Sequence, residues 1–172
     1  MNYREQVAHH EAAHVVISHI FRGGPTAHGI DINAPSSMIG AFGNAGVQKL
    51  VHDPALPKEE QRNDLIKNVA MTCAGAAADA RTMNRPLTQA LLMQLGDLKV
   101  AQTEIAQSPL IPTSGRSPST VQVDRDEALQ AGLETAEHHL ARPDIWALVE
   151  KIAKACLANG GKLSKEEIED LL

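Results

Sequence analysis

The chain has few aromatic residues and few cysteines. Only one Trp, one Tyr and two Phe occur among its 172 residues, although hydrophobic residues make up 43% of the chain. The core must therefore be built from Ala, Leu, Val and Ile, which favours closely packed helices over a β-sandwich. The two cysteines, Cys73 and Cys156, lie far apart in helical patterns, so they form neither a disulfide framework nor a cysteine zinc site. We expect both to be buried, reduced thiols in a cytoplasmic protein.

Positive charge and long apolar runs are also scarce. The net charge is −5, and no cluster of Lys and Arg provides the basic surface that nucleic-acid-binding proteins use. The longest uncharged run compatible with a helix, Val69–Ala78, is far shorter than the ~20 residues of a membrane span. The first residues lack the basic-then-apolar pattern of a signal peptide. We therefore expect no nucleic-acid partner and no membrane span.

Hydrophobic periodicity and breakers predict a mainly α fold with a small two- to three-stranded β-sheet, in a single domain over residues 1–172. Short strands are expected at His28–Ile32 and Ser37–Phe42, and an exposed loop at Pro109–Pro118. Ser119 with Gln122, and Ser164 with Glu167, fit capping boxes at two helix starts. The predicted helices cover about 4–21, 54 or 57–83, 86–107, 119–140, 143–160 and 164–172.

The first predicted helix contains a His-Glu-x-x-His pattern, His10-Glu11-Ala12-Ala13-His14. Residues four apart lie one turn apart on the same helix face, so both imidazoles can bind one metal ion. Glu11 lies beside them, where it can take a proton from an attacking water without being a ligand. The two histidines share a mostly apolar face with Tyr3, Val7, Ile17 and Phe21, whereas His9 and His19 lie on other faces. Burial of His10 and His14 is costly unless it is compensated, and a bound metal is one such compensation.

A catalytic zinc usually has three protein ligands and an open position, so a third ligand is needed. In the helix after Pro86, Asp97 and Glu104 both border the apolar stripe, and periodicity alone does not decide between them. Small Ala90 and Ala101 beside Asp97 would let that helix approach a neighbour closely. The candidates for the third ligand are His28, His52, Asp79, Asp97, Glu104, His138 and His139.

The segment Arg4–Val16 resembles the zinc-binding helix of the peptidase domain in FtsH-type AAA+ zinc proteases, which carries a His-Glu-Ala-Gly-His sequence. Ala74–Asp79 is similar to that family's Ala-Gly-x-Ala-Ala-Glu motif, and Gly96–Ala101 to its Ser/Gly-Asp-Leu/Ile-x-x-Ala motif. Ile145–Ile168 is similar to its final helices, so the resemblance spans nearly the whole chain. It implies that His10, His14 and Asp97 bind Zn²⁺, and it makes Asp97 our choice of third ligand.

The chain departs from that family in several respects. Ala13 replaces a glycine, and no Gly-x-x-x-x-Gly-Lys-Ser/Thr nucleotide loop occurs in the 172 residues. We therefore expect a free-standing peptidase-like domain that works without ATP on its own. The resemblance leaves open a homo-oligomer, as in family members, or a separate ATPase partner that delivers substrate.

Two functions follow from these patterns. The first is a zinc metalloendopeptidase that hydrolyses peptides or unfolded proteins, with Glu11 as general base and Ser37–Phe42 as an edge that holds an extended peptide. The alternative is a non-catalytic metallopeptidase-like module that binds a protein or peptide partner. Glu11 argues against the module, because a purely structural site does not need that carboxylate. A deformylase-type hydrolase needs a Cys ligand upstream of the histidines, and no residue before His10 is Cys.

Overall fold

The computed structural model describes residues 1–23, 29–34, 45 and 49–172, and this part of the chain is mainly helical. A short two-stranded antiparallel sheet accompanies the helices, so the predicted fold class is confirmed. The helices are α1 (Tyr3–Arg22), α2 (Lys58–Met83), α3 (Leu87–Met93), α4 (Leu95–Gln107), α5 (Pro118–Ala141), α6 (Pro143–Ala158) and α7 (Lys165–Glu169). The strands are β1 (Ile30–Asp31) and β2 (Lys162–Leu163). None of the described helices is long and apolar enough to cross a membrane.

Helix α1 begins and ends where its terminal residues dictate. Asn2 and Glu5 form a capping box, which satisfies backbone N–H groups at the first turn. Gly23 ends the helix in the left-handed conformation, with φ of 66°. The residues between Val7 and Ser18 are buried, except for half-buried His9, because α1 packs between α2 and α6.

One residue that the periodicity assigned to the buried face of α1 is exposed. Tyr3 lies in the first turn, before the helix reaches its neighbours, and it is 57% exposed. His9, expected at the surface, is half-buried and stacks on Trp146 of α6 at 6.0 Å between ring centroids. The predicted inward orientation of His10 and His14 is correct.

Helix α2 is the central element, and every residue from Val69 to Ala80 is buried. It contacts α1, α3, α4 and α5, so it has no solvent-facing side along this stretch. Small residues permit the close packing. At Gly132 of α5, for example, an added Cβ would lie 2.3 Å from Val69 Cγ1. Both cysteines are free and buried, as the sequence predicts.

The region predicted as one helix over 86–107 is two helices, broken at Gln94. Gln94 has φ of −102° and ψ of 67°, and its N–H donates to the carbonyl of Leu91. Periodicity does not detect this break, because Leu91, Gln94 and Leu98 continue the same stripe. Because of the break, α4 begins at Leu95, and Asp97 lies in its first turn.

The helix starts nearer the C-terminus agree in part with the predictions. The cap of α5 is Ser117 and not Ser119, because Pro118 then occupies the first helical position that proline favours. The predicted capping box of Ser164 and Glu167 is present at α7.

The small sheet joins the segment after α1 to the segment after α6. Ile30 lies opposite Leu163, and Asp31 lies opposite Lys162. The side chains of Asp31 and Lys162 also form an ion pair of 2.8 Å. Ile30 also forms an isolated antiparallel bridge with Ala45. The predicted strand Ser37–Phe42 lies outside the described residues.

Candidate metal centre

Helix α1 brings two imidazoles together in the core. His10 and His14 are one turn apart and both buried, and their Nε2 atoms lie 3.3 Å from each other. The rings meet edge to face, with centroids 4.9 Å apart. The helical period predicts that residues four apart share one face, and the Nε2 atoms of His10 and His14 do lie close together.

Asp97 completes a group of three ligand atoms. Its Oδ2 lies 3.3 Å from His10 Nε2 and 3.4 Å from His14 Nε2. Asp97 lies in the first turn of α4, whereas the two histidines lie on α1. In the described part of the chain, these three residues are the group of His, Cys, Asp and Glu side chains whose spacing suits a metal ion.

The other nitrogen of each imidazole is already bound. His10 Nδ1 donates to Asp79 Oδ2 at 3.0 Å, and His14 Nδ1 donates to the carbonyl oxygen of Met71 at 2.8 Å. In the neutral rings the Nε2 atoms therefore carry lone pairs that point toward Asp97. Asp97 Oδ2 is buried and has no hydrogen-bond partner among the described residues. Three electron-pair donors thus lie close together, and a cation bound between them could satisfy all three.

The dimensions of this triangle fit a tetrahedral metal. Zinc binds His nitrogen and carboxylate oxygen at ~2.0–2.2 Å, which gives edges of about 3.3–3.6 Å between ligands in a tetrahedron. The three measured separations are 3.3, 3.3 and 3.4 Å. Two nitrogens and one oxygen form a three-ligand donor set of the kind that catalytic zinc sites use.

The electrostatics of the group are those of a site built to hold positive charge. Burial alone would lower the pKa of His10, but the Asp79 and Asp97 carboxylates outweigh it and hold that pKa well above its usual range. The pKa of His14 is also raised, because Asp97 outweighs burial there. Burial would raise the pKa of Asp97, but the two imidazoles lower it far below its usual range. The neighbouring carboxylates therefore favour a positive charge at this cluster.

Glu11 lies beside the ligands without being one of them. It is 6% exposed, and burial raises the pKa of its carboxyl, while the neighbouring histidines oppose that rise. A carboxyl with a raised pKa is a better proton acceptor near neutral pH than an ordinary surface glutamate. Glu11 directly follows His10 on α1, and its carboxyl interacts electrostatically with His10, His14 and Asp97.

Helix α2 approaches the site so closely that only glycine fits at one position. At Gly75, an added Cβ would lie 2.3 Å from His10 Nε2 and 2.4 Å from His10 Cε1. Gly75 is in the helix interior, where glycine is unfavourable by about 1 kcal/mol relative to alanine. The ring of His10 therefore occupies space that a side chain on α2 would otherwise fill.

The remaining candidates for the third ligand do not join the group. Glu104 forms an ion pair of 3.1 Å with Lys49, and Asp79 holds the far side of His10. His28 lies outside the described residues. The others are on the surface or against unrelated side chains: His52 is exposed, His138 is exposed near the end of α5, and His139 packs against Phe21.

Sequence reasoning missed the supports of the two histidines. The sequence offers Asp79 only as a candidate ligand, and helical periodicity does not assign it to His10 Nδ1. The Ala-Gly-x-Ala-Ala-Asp stretch was the available signal, because Gly75 and Asp79 are one turn apart on α2 and both face His10. The Met71 carbonyl carries no sequence signal at all, since every residue has one.

Comparisons with protein-family models and with curated proteins find no match for this chain.

Proposed function

We propose that the chain is a metal-dependent hydrolase whose ligands are His10, His14 and Asp97 and whose metal is Zn²⁺. The observation that carries this proposal is the triangle of Nε2, Nε2 and Oδ2 atoms, with sides of 3.3–3.4 Å. Its donor set and size suit zinc, and an orphaned carboxylate oxygen at its corner needs a cation.

Within that class we propose a peptidase, a zinc metalloendopeptidase similar to the FtsH-type peptidase domain. Two features support this finer assignment. Glu11 directly follows the first of the two buried histidines, as the glutamate does in the His-Glu-x-x-His peptidases. The segment Gly96–Ala101, which resembles the family's Asp motif, supplies the residue whose oxygen meets both imidazoles.

In this proposal, each residue of the site has a separate role in peptide hydrolysis. His10, His14 and Asp97 would hold the zinc ion, which would supply Lewis-acid chemistry by polarising the scissile carbonyl and activating water at neutral pH. Glu11 takes the proton from the attacking water and later passes it to the nitrogen of the leaving amine. Asp79 and the Met71 carbonyl hold the two rings in the tautomer that leaves each Nε2 free to bind.

The direct test combines metal content with hydrolysis. Purified protein is analysed for zinc, stripped with a chelator, and reloaded with one equivalent of Zn²⁺. We expect about one zinc per chain, loss of peptide cleavage on stripping, and recovery on reloading. Zinc binding without cleavage of any member of a broad peptide library would favour the non-catalytic binding module. Absence of zinc binding would exclude the hydrolase and leave only the binding module, which does not require a metal.

A further inference from the structure

The break between α3 and α4 places a glutamine inward and apolar residues outward. Gln94 is half-buried, whereas Leu92 and Leu95 on either side are 65% and 57% exposed. Burial of an amide in preference to leucine opposes the hydrophobic effect, so a specific interaction must compensate for it. The side-chain amide of Gln94 makes that interaction, because its Nε2 donates to Asp79 Oδ2.

Asp79 Oδ2 is also the atom that orients a metal ligand. It accepts from His10 Nδ1 at 3.0 Å, so one oxygen receives both the imidazole and the Gln94 amide. The other oxygen, Oδ1, accepts from Gln6 at 3.3 Å. Asp79 is only 1% exposed, and these donors satisfy a carboxylate that would otherwise be costly to bury.

Gln94 belongs to the same segment as another metal ligand. It stands in neither helix, and Asp97 follows three residues later in the first turn of α4. Gln94 is bonded through its backbone to both helices, because its N–H donates to the carbonyl of Leu91 in α3 and its carbonyl accepts from the N–H of Leu98 in α4, each at 3.0 Å. Its side chain therefore ties the start of the Asp97 helix to the carboxylate that fixes His10.

We propose that Gln94 is a positioning residue, which through Asp79 holds the Asp97 segment and the His10 ring in the relative placement that metal binding requires. This inference rests on the metal site of the proposed function. Loss of the Gln94 donor would remove the link between the start of α4 and Asp79 and leave Asp79 Oδ2 with one fewer partner. Both ligand separations at Asp97 and the orientation of His10 depend on that contact. Partners of this kind alter metal affinity by about 10–100-fold when they are removed.

The test uses Gln94→Met, which keeps the length of the side chain and removes the donor. Zn²⁺ affinity is measured by competition with a chromophoric chelator, and the ligand geometry by the visible spectrum of the Co²⁺-loaded protein. We expect a loss of about 10–100-fold in affinity and a changed Co²⁺ spectrum. Leu92→Gln, on the same segment but exposed, should change neither. Gln6→Met should have a smaller effect, because Gln6 contacts the other oxygen and lies on α1 with His10.

A second pair of variants keeps the test decisive if Gln94→Met fails to fold. Gln94→Lys retains a donor toward Asp79, whereas Gln94→Glu sets a carboxylate against it. We expect the Lys variant to bind Zn²⁺ more tightly than the Glu variant, with a Co²⁺ spectrum nearer to that of wild type. A simple effect of charge on a cation site has the opposite order, since glutamate attracts and lysine repels the metal.

The outcomes separate this inference from the function on which it rests. If wild type binds Zn²⁺ and Gln94→Met matches it in affinity and spectrum, the positioning role is wrong and the proposed function stands. If Gln94→Glu binds as tightly as Gln94→Lys, the inference is likewise overturned. If wild type binds neither ion, the proposed function is wrong and the inference is lost with it.

Discussion

Gly75 of α2 lies directly against the ring of His10 on α1, so that an added Cβ would be 2.3 Å from His10 Nε2. His10, the first proposed metal ligand, therefore packs against the central helix at Gly75. Since both helices are buried along this contact, neither has room to move away.

Substitution of Gly75 by Ala should therefore displace the His10 ring. We expect at least about a tenfold loss in Zn²⁺ affinity, the scale seen when the support of a ligand is disturbed. Overpacking of the core should also reduce the free energy of unfolding by about 1–3 kcal/mol. Isothermal titration and chemical denaturation measure the two effects. The comparison variant is Gly132→Ala, whose Cβ would meet Val69 at the same 2.3 Å and has Val69 and Ala70, and no candidate ligand, as its nearest neighbours. Equal Zn²⁺ affinity in the two variants would contradict the expectation.

Asp97→Ala should remove the oxygen corner of the triangle. Two imidazoles alone form a poor zinc site, so we expect the metal content of the purified variant to fall well below one per chain. Metal analysis after dialysis against a weak chelator measures this. His138→Ala provides a control, because that histidine is exposed near the end of α5. Full zinc occupancy with unchanged affinity in Asp97→Ala would show that the ligand assignment is wrong.

Much of the site follows from local sequence, and the part that does not depends on contacts between helices. The helical period alone predicts that His10 and His14 share an inward face, and the structure has both buried there. Periodicity could not decide between Asp97 and Glu104, because both border one stripe. Tertiary packing separates them: Asp97 meets the imidazoles, and Glu104 pairs with Lys49.

The helix break at Gln94 was not predictable for a related reason. The spacing of Leu91, Gln94 and Leu98 is that of a continuous helix, and the one glycine in this stretch, Gly96, lies inside α4 and not at the break. What accompanies the break is a hydrogen bond to Asp79, 15 residues away on another helix. Local rules therefore predict the elements, while the residues that aim the ligands come from long-range contacts.

Glu11→Gln separates chemistry from binding. Glutamine has the same shape as glutamate but cannot accept the proton from water, so we expect the variant to fold and to retain one zinc per chain. Peptide hydrolysis should fall by at least ~10²-fold, the usual scale for removal of a general base. Initial rates on a fluorogenic peptide library, with zinc content measured on the same samples, provide the comparison. Equal activity in wild type and variant would exclude Glu11 as the base.

The two cysteines should be unreactive in the folded protein. Burial raises the pKa of the Cys73 thiol to about 12 and that of Cys156 to about 11, so neither is a thiolate at pH 8. Alkylation by iodoacetamide, followed by mass spectrometry, should be slow in buffer and fast in denaturant. Because the folded state retains these protons and the unfolded state loses them above about pH 9, stability should fall as the pH rises beyond that point. Rapid alkylation of native protein at pH 8 would contradict the burial of both thiols.

Substrate access should limit what this chain cleaves. Hydrolysis requires an extended segment at the buried triangle, and a stable fold exposes such segments only by local or global opening. Global opening costs about 5–15 kcal/mol, and the 172 residues contain no nucleotide loop that could supply that energy from ATP. We therefore expect cleavage of short peptides and unfolded chains, with the same rate in the presence and absence of ATP.

A single substrate protein in native and destabilised forms tests this expectation. A destabilising core substitution in the substrate raises the population of its open state by about tenfold for every 1.4 kcal/mol, without changing the sequence at the cleavage site. If access is limiting, the cleavage rate should rise by the same factor until the open state predominates. Cleavage of the native form at buried sites, at a rate that does not depend on the stability of the substrate, would mean that the chain opens folded proteins by itself.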